Sequence, residues 1–171
     1  MALQARVMFF DLDRCVGCHA CETACKMEND VVPGPKWIEV VQREIPRKDG
    51  GWTVEYLPLN CRHCAEPLCQ AVCPMKAIQR RTDGLVLVNI HKCIGCTECL
   101  QVCPFGAPQF GPLGTMEKCT MCAHRISLGL PTACEQLCPT GAIWSGTTGE
   151  ISKRVRSGYS ITVIRRELES S

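Results

Sequence analysis

Aromatic side chains are scarce in this chain, with three tryptophans, two tyrosines and four phenylalanines among 171 residues. Such rings dominate an ordinary apolar core, so something else must tie the polypeptide together. Long hydrophobic runs are missing too. Leu85–Ile90 and Ile161–Ile164, the longest apolar stretches, are strand-sized, far short of the ~20 residues of a membrane span. Met1–Arg6 contains neither an apolar signal core nor a twin-arginine pair. The expectation is a cytoplasmic protein without direct membrane insertion; the alternative is export as passenger of a signal-bearing partner. Charge is nearly balanced at a formal +2, without a basic run or aromatic platform, which excludes nucleic acid from the expected partners. Gly111–Pro112–Leu113–Gly114 and Gly146–Thr147–Thr148–Gly149 fit no dinucleotide or phosphate-loop fingerprint.

Cysteine is the residue in excess, and all 16 fall into four sets. Cys15, Cys18, Cys21 and Cys25 are spaced by two, two and three residues. Cys93, Cys96, Cys99 and Cys103 repeat that spacing. Cys61, Cys64, Cys69 and Cys73 widen the middle gap, and Cys119, Cys122, Cys134 and Cys138 carry a long insertion before the third cysteine. In bacterial-type iron–sulfur runs of this spacing, three thiolates hold one cubane and the fourth reaches another. The proline after Cys73, Cys103 and Cys138 belongs to the same run.

Two other readings compete. A disulfide framework needs an oxidising compartment and does not call for four copies of nearly one spacing. Structural zinc prefers two separated C-x-x-C knuckles, which the fourth set resembles but the first and third do not. Loading fits the charge: sixteen thiolates and four oxidised cores take the protein to about −6. Arg14, Arg62, Lys92 and Lys118, each beside a ligand, are candidates to compensate it, as are amides of the Gly17 and Gly95 loops.

The pattern predicts strands at Val7–Phe10 and Ala142–Trp144, a short helix over Cys18–Met27, and a hairpin of Trp37–Val41 with Thr53–Leu57. A second hairpin runs from Ile78 through Thr82–Asp83–Gly84 to Ile90. Thr147–Glu150 reads as a capping box opening a short helix that ends at Gly158, followed by a strand at Ile161–Ile164. Since only the second hairpin separates the second set from the third, these two form one unit over residues 59–110. Residues 1–58 and 111–171 form an outer unit around it. The expected fold is α+β, with two ferredoxin-like units, one inserted in the other, and an added β-hairpin.

Exchange of fourth cysteines then gives four quartets. The first is Cys15, Cys18, Cys21 and Cys138; the second is Cys61, Cys64, Cys69 and Cys103. The third is Cys93, Cys96, Cys99 and Cys73; the fourth is Cys119, Cys122, Cys134 and Cys25. Pairing the first set with the second and the third with the fourth stays open as the alternative.

Over about residues 5–145 the chain resembles the iron–sulfur electron-transfer subunits of molybdenum and tungsten oxidoreductases. These are the beta subunits of the dimethyl sulfoxide reductase family, including polysulfide, thiosulfate and tetrathionate reductases and formate dehydrogenases, and all sixteen ligand positions match. The resemblance implies pseudo-symmetric ferredoxin-like halves and four [4Fe-4S] clusters. Its implied partners are a large molybdenum- or tungsten-pterin catalytic subunit and a second redox subunit (flavin, hydrogenase or membrane quinone subunit). The chain is short for that family and shows no C-terminal membrane helix. It is also similar to the small subunits of tungsten aldehyde oxidoreductases and hydrogen-dependent carbon dioxide reductases, which implies possible self-association into filaments.

Four complete quartets leave no iron open for catalysis, so a non-catalytic electron-transfer subunit is expected, with a free-standing polyferredoxin carrier as the alternative. His19, His63, His91 and His124 are expected as hydrogen-bonding or surface residues, and Trp37, Trp52 and Trp144 as packing residues.

Overall fold

The computed structural model describes the backbone of residues 5–169 and, within the last helix, side chains as far as Gly158. Its sheets are four antiparallel pairs. β1 (Arg6–Phe10) pairs with β8 (Ile143–Thr147), from Arg6 opposite Thr147 to Phe10 opposite Ile143. β2 (Ile38–Pro46) and β3 (Trp52–Asn60) form the added hairpin in full register. Pro46 is tolerated because it closes the strand, where no further ladder donor is needed. β4 (Ile78–Arg80) and β5 (Val86–Val88) flank a loop pinned by Asp83, whose Oδ1 accepts from the Leu85 amide at 3.2 Å. β6 (Gln109–Phe110) and β7 (Met116–Glu117) were too short for the sequence pattern to register.

Most helices are brief, and four of them repeat one geometry. α1 (Ala20–Glu28), α2 (Leu68–Ala71), α3 (Glu98–Gln101) and α5 (Ala133–Gln136) each carry the third cysteine of a set as their second residue: Cys21, Cys69, Cys99 and Cys134. α4 (Ala123–Ser127) fills the insertion of the fourth set. α1 also carries Cys25, which at i+4 shares a face with Cys21.

The core follows from this scarcity of ordinary apolar bulk. Cys21, Cys25 and Cys134 are buried with Ile38, Val40 and Ile143, and Cys99 is buried with Ile78, Val86 and Met116. Trp144 stacks on Phe9 with centroids 5.1 Å apart, and Trp37 Nε1 donates to Glu117 Oε2 at 2.8 Å. Trp52, expected to pack, is exposed, because it opens the outer end of the β2–β3 arm, away from any other element.

The C-terminal expectation is corrected. The capping box is present: Thr147 N and Oγ1 both donate to Glu150, at 2.8 and 2.9 Å, and the Glu150 amide donates back. The helix it opens, however, is α6 (Thr148–Glu169), which runs through Gly158 and through Ile161–Ile164. A helical glycine costs only about 1 kcal/mol, and β-branched residues with no strand partner default to the helix already nucleated.

Glu22 ties α1 to the hairpin. Its carboxylate accepts from the Val40 amide at 2.7 Å and pairs with Lys36 at 3.0 Å and His19 at 3.0 Å. Partial burial pushes its pKa up, but these three partners outweigh it and hold the group below 4.5. Glu22→Gln is expected to destabilise by about 1–3 kcal/mol at pH 7 through the weakened Val40 bond. A depressed carboxylate contributes fully above its unfolded pKa and loses that contribution as pH falls through the folded value. The gap between wild type and variant, read as the temperature of visible bleaching, should therefore close below about pH 4.5.

Candidate metal centres

Three cavities are each walled by four cysteines. One is lined by Cys15, Cys18, Cys21 and Cys138. A second is lined by Cys73, Cys93, Cys96 and Cys99. A third is lined by Cys25, Cys119, Cys122 and Cys134. A lone tetrahedral zinc would draw its thiolates to about 3.8 Å of one another. Among the described residues no three His, Cys, Asp or Glu side chains converge in that way.

The three cavities thus bring together twelve of the sixteen cysteines in groups of four. Of the remaining four, Cys69 has Cys61 and Cys103 near it, and Cys61 also lies near Cys119.

Donors surround the sulfurs. After Cys73 and Cys138 the chain turns through proline, and the amide four residues on returns to the sulfur: Ala77 N to Cys73 Sγ at 3.3 Å, Ala142 N to Cys138 Sγ at 3.2 Å. After Cys25 there is no proline. α1 continues and claims the Asn29 amide for the Cys25 carbonyl, so the Asn29 side chain takes over, reaching Cys25 Sγ at 3.8 Å and Cys122 Sγ at 4.0 Å. Met116 N donates to Cys93 Sγ and Met121 N to Cys119 Sγ, at 3.2 and 3.3 Å. Thr132 lies 3.4 Å from Cys134 Sγ, and Asn60 Nδ2 reaches Cys119 Sγ at 3.8 Å. The sequence reading missed Asn29, Asn60 and Thr132. Their signal was adjacency to ligands, which many surface residues share.

Without metal these thiols resist ionisation. Burial first, then neighbouring cysteines, push Cys25 well above its ordinary value; burial pushes Cys134 up to about 12, and Cys21, Cys99 and Cys119 to about 11. Metal coordination deprotonates a thiol outright, so filling such a site releases protons and is favoured by rising pH.

The histidines separate. His19 and His124 bond Glu22 and Glu28 at 3.0 and 2.7 Å on the surface, and His91 is exposed. His63, between Cys61 and Cys64, is only 5 % exposed. Its Nδ1 accepts from the Val86 amide at 2.9 Å, which leaves the proton on Nε2, where no acceptor completes a hydrogen bond. Burial, assisted by Lys118, lowers its pKa to about 3, with the Cys119 carbonyl pulling weakly the other way. A buried N–H without a partner, beside a thiol set, is what a sulfide-bearing group would satisfy. Thiol-walled voids and this orphaned donor together fit iron–sulfur clusters.

Comparison with known proteins converges on the same chemistry. A 4Fe-4S dicluster domain model matches residues 52–148, and another matches residues 14–77. The sequence is 40% identical over 134 residues to one of the chains of the anaerobic dimethyl sulfoxide reductase of Escherichia coli, covering 71% of this chain and 63% of that one. It is 42% identical over 132 residues to the formate dehydrogenase iron-sulfur subunit of Wolinella succinogenes, covering 72% and 64%. It is 39% identical over 125 residues to one of the subunits of the tetrathionate reductase of Salmonella typhimurium, covering 72% and 50%. The chain therefore spans between half and just under two thirds of the length of these relatives.

Proposed function

Because the protein belongs to the 4Fe-4S dicluster domain family, we propose that it is a four-cluster electron-transfer subunit of a molybdenum or tungsten oxidoreductase. The observation that carries this reading is the set of separate cavities each walled by four cysteines. The four quartets, in their nested pairing, are the ligands, one [4Fe-4S] cluster each. When bound, such clusters accept and pass on single electrons at potentials set by their surroundings.

Residues 59–110 form the inner unit, and residues 1–58 with 111–171 form the outer one. The β1–β8 pairing, which joins the two ends of the outer unit, supports this division. Shared elements suggest an order for the quartets. α1 holds Cys21 of the first and Cys25 of the fourth. Asn60, next to Cys61 of the second, reaches Cys119 of the fourth. Cys69 of the second packs near Cys99 of the third. The run is first, fourth, second, third. At its two ends Cys18 and Cys96 are exposed, each on a loop with an exposed apolar neighbour, Val16 and Ile94. Those ends are where redox partners would approach.

The relatives named as subunits or chains of reductases and a formate dehydrogenase favour a pterin-bearing catalytic partner and a second redox subunit over a free-standing polyferredoxin. No helix among the described residues is long and apolar enough to cross a membrane. Anaerobic affinity purification tests the reading. Expected are about sixteen irons per chain, a broad visible shoulder bleached by dithionite, and a co-purifying large chain containing pterin with molybdenum or tungsten. Iron-loaded protein without such a chain favours the carrier, and colourless zinc protein overturns both.

A further inference from the structure

Four polar or charged side chains are buried among the described residues: Asn60, His63, Lys118 and Thr132. Three of them, Asn60, His63 and Lys118, meet at one seam, between the second quartet and the fourth. The Val86 peptide holds two of the three, its N–H donating to His63 Nδ1 at 2.9 Å and its carbonyl accepting from Lys118 Nζ. Lys118 Nζ also donates to the Cys119 carbonyl at 3.2 Å. Lys118 is thus anchored to the inner unit through β5 and to the fourth quartet through its own next residue.

Its burial is unusual. Lys118 is 3 % exposed, and a buried ammonium demands a compensating anion. No carboxylate pairs with it among the described residues; two of its three donors go to neutral carbonyls. The anions left are the thiolates of the two quartets it separates, and the charge is felt on both sides, by Cys69 of the second and Cys119 of the fourth. Other basic residues beside ligands are occupied elsewhere. Arg14 pairs with Asp11 at 3.2 Å, Arg62 lies over the Phe10 and Phe105 rings, and Lys92 is exposed.

We propose that Lys118 is a potential-setting residue shared by the two middle clusters: a fixed positive charge that favours the reduced form of both over that of the two terminal clusters. Reduction adds one electron to a cluster and breaks no bond, so a cation held at fixed distance acts on the equilibrium directly. An electron entering at either end then finds its resting place in the interior. The inference rests on the four-cluster reading above.

The test is a dithionite titration of the holoprotein followed by electron paramagnetic resonance, comparing wild type with Lys118→Met, Lys118→Arg and Lys92→Met. Sixteen irons and four one-electron waves in wild type verify the reading on which the inference rests, independently of any variant. In Lys118→Met, two of the four waves are expected to move to lower potential by a tenfold or larger change in equilibrium constant, 59 mV per tenfold for one electron. The other two should move less than about threefold, as should every wave in Lys92→Met, where water screens the charge. Lys118→Arg should restore the wild-type pattern. Four unmoved waves, or four that move together, would overturn the proposal. So would Lys118→Met and Lys118→Gln both failing to load sixteen irons while Lys118→Arg loads fully, since that would make the residue a folding cation only.

Discussion

Cys15→Ala combined with Cys138→Ala is expected to remove no more iron than either substitution alone, about four atoms of sixteen. Cys15→Ala combined with Cys73→Ala is expected to remove about eight. The contrast follows from which thiols share a cavity. Cys15 and Cys138 line the same void, and Cys73 lines another with Cys93, Cys96 and Cys99. Two losses within one quartet destroy one cluster; two losses in different quartets destroy two. This is a double-mutant cycle with iron as its readout, measured as iron and acid-labile sulfide per chain after anaerobic reconstitution. It also decides between the pairings the spacing left open. Were the first set paired with the second, Cys15 and Cys73 would share a cluster, and their combination would remove only about four. The first quartet should matter beyond its iron, because with β1–β8 it joins two ends of the chain remote in sequence, and closing a long loop contributes most to stability.

The four cysteine sets were legible because ligand spacing is a local constraint: a loop that wraps a cubane must place three thiolates within a few residues. Hairpins announced themselves for a similar reason, with Asp83–Gly84 and Lys48–Gly51 supplying turn residues between β-formers. The capping box at Thr147–Glu150 was legible too, being four residues that satisfy one another. What failed depended on partners. Ile161–Ile164 has the composition of a strand, and only a strand beside it would make it one; α6 runs through it. Lys118 could not be told from Arg14 or Lys92 by adjacency to a cysteine. Its burial depends on β5 folding back from a different part of the chain, so that the Val86 carbonyl meets its Nζ. Asn29 escaped notice for the opposite reason: its sulfur contacts exist because α1 outlasts Cys25 and takes the backbone donor away.

Gly95→Ala is expected to abolish the third cluster, and Gly106→Ala to leave the iron content near that of wild type. Both glycines occupy the left-handed region, at φ +70° and +58°, so each substitution incurs a similar conformational cost of roughly 1–2 kcal/mol. Space separates them. A Cβ at Gly106 meets nothing within 4 Å, whereas one at Gly95 would lie 2.4 Å from the Gly114 carbonyl oxygen. That oxygen belongs to backbone and cannot swing aside as a side chain would. Gly114 sits in the turn between β6 and β7, and two residues on, Met116 N donates to Cys93 Sγ at 3.2 Å. Moving the turn to admit a methyl group therefore pulls a donor off the quartet whose loop has just been distorted, so the two defects compound. Gly17→Ala should fall between, since its Cβ would meet the Tyr56 ring at 2.3 Å, a side chain that can rotate at the expense of its packing against the buried cluster that includes Ile38 and Val40. Iron per chain, with thermal bleaching as the second readout, ranks the three substitutions. Equal losses in Gly95→Ala and Gly106→Ala would mean that backbone conformation alone, and not the approach of the 111–115 turn, shapes the loop holding Cys93, Cys96 and Cys99.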